Sequence, residues 1–91
     1  MKITVIIGNL NLLTDNLINI DNKFVNNIDI AQISNTIWSF NFDEDSSIGE
    51  IEFQNNQQNN NQIVSSLAEL ETAIGCTIQS IKDIHTANYN G

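Results

Sequence analysis

The sequence predicts an α+β domain: a small, mainly antiparallel β-sheet with one C-terminal helix packed on one face. Three observations carry this. Short β-branched runs fill the first half and are broken by Asn, Asp and Gly. Trp38, Phe40 and Phe42 alternate with polar residues. Leu67, Leu70, Ile74, Ile78 and Ile81 then recur at helical spacing.

Ile3-Thr4-Val5-Ile6-Ile7 reads as a strand stopped by Gly8-Asn9. Residues 10–16 are mixed and carry no assignment. Leu17-Ile18-Asn19-Ile20 meets Lys23-Phe24-Val25 across Asp21-Asn22, two residues that tolerate the left-handed backbone of a tight hairpin. Residues 36–42 form the clearest strand, with Trp38, Phe40 and Phe42 expected on one buried face. Asp43-Glu44-Asp45-Ser46-Ser47 makes a polar turn. Gly49 to Phe53 alternates again, with Ile51 and Phe53 on one side and Glu50 and Glu52 on the other. The expected product is a hairpin with one aromatic face and one acidic face, needing neighbouring strands and an apolar cover.

The low-complexity run at 55–62 is all Asn and Gln and reads as a polar loop. A helix is expected over 65–86. Ser66 and Glu69 fit a capping box at its start. Its apolar stripe is expected to lie across the three aromatics, and Gly75 within it costs about 1 kcal/mol against Ala. A heptad reading through Leu67, Leu70, Ile74, Thr77, Ile81 and Ile84 would instead join copies. The whole chain reads as a single domain, 1–91, mainly β over 1–54.

The net charge is -8, from 3 Lys and Arg against 11 Asp and Glu. Phosphate backbones need Lys and Arg, so nucleic acid is not an expected partner. Lys2, Lys23 and Lys82 form no patch in sequence. No apolar stretch approaches the ~20 residues that span a bilayer, so no membrane role is expected. The run after Lys2 is broken by Asn9, Asn11 and Asp15 and lacks a signal-peptide cleavage site.

No catalytic, cofactor or metal constellation emerges. Cys76 and His85 are nine residues apart, which on a continuous helix is half a turn out of phase and roughly 13 Å along the axis. One His gives no ordinary zinc site. A calcium loop counted from Asp43 places Ile48 at position six and Gln54 at position twelve, where Gly and Glu are needed. Glu50 and Glu52 read as solubilising charges rather than an acid–base pair. The residues expected to form a protein interface are Trp38, Asp43, Glu44, Asp45, Glu50 and Glu52. A buried Trp38 at the centre of the core is the favoured reading; an exposed one would anchor a partner.

Ile20-Asp21-Asn22, Ile28-Asp29, Ile37-Trp38-Ser39-Phe40 and Gly49-Glu50-Ile51-Glu52-Phe53, followed by a polar stretch and a helix, resemble small proteins encoded in tail-fibre modules of tailed bacteriophages. The likeness spans roughly residues 17–85 and rests on about a dozen positions. This chain departs from that group in having no Pro and no Trp in the C-terminal helix. The resemblance implies a non-enzymatic structural or tail-assembly protein, in a virion or host cytoplasm, with other virion or tail components or itself as partner. The alternative from charge alone is a small acidic inhibitor that mimics nucleic acid on a basic host protein.

Overall fold

The computed structural model describes residues 1–8, 16–28, 30, 32–54 and 61–89. Six strands form one sheet: β1 (Lys2–Ile6), β2 (Leu17–Ile20), β3 (Lys23–Asn26), β4 (Ile37–Asp43), β5 (Ile48–Phe53) and β6 (Gln62–Val64). Two helices follow, α1 (Leu67–Ile74) and α2 (Ile78–Asn88). The strand order is β3-β2-β1-β4-β5-β6, and every neighbouring pair is antiparallel. Two three-stranded meanders therefore meet at the β1–β4 seam.

The expected sheet is present, and several local reasons are visible. Asp21 and Asn22 take φ of 50° and 68°, the left-handed pair that a two-residue hairpin turn requires. At the next turn Asp43 Oδ1 accepts from Asp45 N–H at 2.9 Å, and Asp43 C=O accepts from Ser47 N–H at 2.8 Å. The Gln54 side-chain amide donates to the carbonyls of Gly8 and Ile37, tying down the far ends of the two central strands.

Register decides the core. Ile3, Val5, Ile18, Ile20, Val25, Phe40, Phe42, Ile51 and Val64 share the inner face and are buried. Leu70, Ile74, Ile78 and Ile81 join the same apolar cluster from the helices. The chain between β3 and β4 adds Ile28, Ile30 and Ile33. Asn16, itself buried, donates to Ile28 C=O at 2.7 Å and so satisfies part of that crossing. The molecule is 18 Å through its thinnest direction, the depth of one sheet and one layer over it.

Three expectations need correction. The single helix over 65–86 is two. Gly75 has φ of 83° and its N–H bonds to Glu71 C=O, which ends α1 in a left-handed cap. Thr77, the flaw in the heptad reading, is the N-cap of α2, its Oγ1 accepting from Ser80 N–H at 3.2 Å. The Glu71 carboxylate reinforces the break by accepting from Ile78 N–H at 2.8 Å.

The polar loop over 55–62 gives up its end. Gln62, Ile63 and Val64 pair with Ile51, Glu50 and Gly49 as the sheet's last strand. Residues 55–60 of that run lie outside the described residues.

Trp38 is half-buried rather than central. A bulge between Ile37 and Ser39 sets two β4 residues against Phe53, and Ile37 takes the fully buried place. Trp38 C=O accepts from both Ile7 and Gly8 N–H at this point. Leu67, the expected start of the apolar stripe, is 42% exposed, and the buried stripe begins at Leu70.

Candidate interaction surface

Buried residues of both helices share one apolar cluster with the inner-face strand residues, and among the described residues no member of that cluster comes from the sheet's other side. Strand alternation sends Thr4, Ile6, Leu17, Asn19, Phe24, Ser39, Asn41, Ile48, Glu50, Glu52 and Ile63 to that side. Register sets one row across all six strands: Phe24, Asn19, Thr4, Asn41, Glu50, Ile63. The row has uncharged polar residues in its centre and a large apolar residue at each end. Phe24 is 54% exposed, Ile63 60% and Ile48 55%. At about 4.8 Å per strand, Phe24 and Ile63 stand roughly 24 Å apart.

Glu50 and Glu52 lie on this open face, where the alternation placed them. Asn61 donates to Glu50 Oε2 at 3.0 Å, and Ser39 Oγ lies 3.4 Å from Glu52 Oε1. Both of these bonds are to neutral groups. Asp43, Glu44 and Asp45 sit on the β4–β5 turn. Glu44 pairs with Lys82 at 2.9 Å, and Asp45 lies 3.7 Å from the Met1 amine. Trp38 is at the other end of β4, five residues from Asp43 and about 17 Å away. The six expected interface residues therefore fall into three places: the open face, the turn and the bulge. Phe24, Ile48 and Ile63, the exposed apolar members of the face, were not singled out from sequence. Ile48, two residues before Glu50 on the same alternation, carried a signal; Ile63, between Gln62 and Val64, carried none.

Lys23 and Lys82, distant in sequence, line one groove between α2 and the β2–β3 turn, together with Asp21, Gln79, His85 and Thr86. Asp21 and the Glu44 ion pair offset their charge. His85 is buried, and its Nε2 lies 2.8 Å from Lys23 C=O. A carbonyl only accepts, so Nε2 carries the hydrogen. His85 stacks on Tyr89 with ring centroids 5.4 Å apart.

Cys76 is half-exposed beside Gly75 and Thr77. Burial raises its thiol pKa above the ordinary value, a Ser80 hydrogen bond works the other way, and the Glu71 charge adds to the rise. A nucleophilic thiol needs the opposite shift. Among the described residues no group of three His, Cys, Asp or Glu is placed to hold a metal. No described helix is long and apolar enough to cross a membrane.

Comparison of the chain with family models, curated proteins and solved structures finds no match.

Proposed function

We propose that this chain is a non-enzymatic assembly protein that works through protein–protein contacts on the open face of its sheet. The observation that carries the reading is the one-sided cover. Buried residues of both helices and Ile28, Ile30 and Ile33 belong to the inner-face cluster, while, among the described residues, Phe24, Ile48 and Ile63 stand outward. Exposed aliphatic and aromatic side chains at sheet edges gain free energy when a partner covers them, at about 25 cal/mol per Å² removed from water. The strands β3 and β6 close the sheet at each side and offer backbone groups to which an added strand could pair. The setting we propose is a bacteriophage tail-assembly context, on the strength of the sequence resemblance alone.

The test is native mass spectrometry of the chain purified with its neighbours, beside a Phe24→Ser/Ile63→Ser variant. The expected result is a stable complex, with itself or with larger virion proteins, that the variant loses while keeping its fold. A monomer absent from purified particles sinks the reading.

The acidic-mimic alternative draws on the turn at Asp43, Glu44 and Asp45. Two of those three already have cationic partners within the chain. It requires salt-sensitive binding to a basic nucleic-acid-binding protein that a Phe24→Ser/Ile63→Ser variant retains.

A further inference from the structure

The open face has two halves of different chemistry, and the half at β5–β6 specifies what covers it. Ile48, Glu50 and Glu52 follow one another on the outward side of β5. Ile63 stands directly beside Glu50 on β6, with Ile48 and Glu52 as its diagonal neighbours roughly 7–8 Å away. The patch is thus two aliphatic side chains interleaved with two carboxylates.

The chain's lysines are Lys2, Lys23 and Lys82, and it has no Arg. Lys82 is paired with Glu44. Lys23 is on β3, the opposite edge of the sheet. Lys2 stands outward on β1 in the row Lys2–Asp43–Ile48, with Asp43 as its direct neighbour. None of the three forms an ion pair with Glu50 or Glu52.

Resting on the docking reading above, we propose that the β5–β6 half of the open face receives a cationic, aliphatic-studded segment of a protein partner. Its Lys or Arg side chains lie over Glu50 and Glu52, and its aliphatic side chains cover Ile48 and Ile63. A small cation would leave both isoleucines in water. Nucleic acid would set phosphates against carboxylates. A second copy stacked face to face about a two-fold axis would set Glu50 and Glu52 against acids of the same patch, within a pair carrying twice the charge of -8.

The test is an NMR titration of the whole isotope-labelled chain with two peptides of equal length. One alternates Leu with Lys, the other Leu with Glu. At low salt (about 10 mM, screening length about 30 Å) only the lysine peptide binds, and amide shifts concentrate on β5 and β6. The E50Q/E52Q double variant weakens that binding about three- to tenfold, as two exposed ion pairs should. The I48S/I63S variant abolishes it with amide dispersion retained. No binding of the lysine peptide, equal binding of both peptides, unchanged affinity in E50Q/E52Q, or self-association through this face overturns the proposal. The two readings fail separately. If F24S/I63S still breaks the native complex while E50Q/E52Q does not weaken it, docking stands and the cationic chemistry falls. If F24S/I63S leaves the complex whole, the docking reading falls first.

Discussion

At the scale of single residues, Gly49 shows how a motif letter becomes a packing constraint. It lies on the inner face opposite Phe42. A Cβ there would press into the Asn41 carbonyl oxygen and lie 3.0 Å from Phe42 Cδ1. Two of the three obstacles are backbone atoms, so the strand itself must move. Gly49→Ala is expected to cost about 2 kcal/mol, read as a lower denaturation midpoint at unchanged slope. His85 is the counterpart on α2. His85→Ala loses packing and the hydrogen bond to Lys23 C=O, for about 2 kcal/mol. His85→Gln, which keeps an N–H donor, should recover part of that loss in the same urea titration. Cys76 makes a pH-dependent prediction. Its folded thiol holds its proton more tightly than the unfolded one. Whatever stability this contributes is complete below the ordinary thiol pKa and declines as pH rises through the higher folded value. Alkylation of the native chain should accordingly reach half-maximal rate at higher pH than alkylation of the chain in urea.

At the scale of elements, the C-terminal region gives the sharpest contrast between pattern and structure. Ser66 caps α1, its Oγ accepting from Glu69 N–H, while the Glu69 carboxylate accepts from Ser65 N–H, one residue before the N–H that a capping box uses. The apolar stripe is also real, with Leu70, Ile74, Ile78 and Ile81 all buried. The break between them was invisible to a periodicity argument, because Leu70, Ile74, Ile78 and Ile81 enter one apolar cluster and keep their spacing across the joint. The sign of one substitution separates the two descriptions. In a continuous helix Gly75→Ala would stabilise by about 1 kcal/mol. At a left-handed cap it destabilises by about 1 kcal/mol instead, since only Gly takes φ of 83° without strain. Thr77→Ala should cost about 1 kcal/mol more through loss of the second cap. Thermal unfolding of both variants checks this. The strand β6 escaped the sequence reading for a different reason. Three residues at the end of an Asn/Gln run carry too short a pattern to register, and only β5 beside them makes them a strand.

At the scale of the whole molecule, the decisive property is that the buried helix residues and the inner-face strand residues form one apolar cluster. The outward apolar side chains contribute little to folding, being already in water. Phe24→Ser and Ile63→Ser should each change stability by no more than about 0.5 kcal/mol, while removing association. A large loss of stability in either variant would show that the open face is part of the core. Trp38 offers an internal gauge of the same architecture. As the sole Trp, half-buried at a bulge, it should be quenched by acrylamide in the native chain to a degree between a core and a free indole. Charge placement is a whole-molecule property as well. The three lysines lie on β1, β3 and α2, and none forms an ion pair with the acids on β5.

The order of residues alone determined the alternation of Glu50 and Glu52 with Ile51 and Phe53, the hairpin turn at Asp21-Asn22, the cap at Ser66 and the apolar stripe behind it. Each is a local consequence of strand or helix geometry acting on neighbours a few residues apart. Tertiary structure decided that Ile37 displaces Trp38 from the core, that Gly75 ends a helix, and that Ile63 stands beside Glu50. The first and third depend on which strand lies next to which, and at the second the Ser34 N–H, from the segment before β4, takes the Ile74 carbonyl at the helix end. Pairing between distant segments is fixed by the packing of the finished core, where a single bulged residue reverses which side chain is buried.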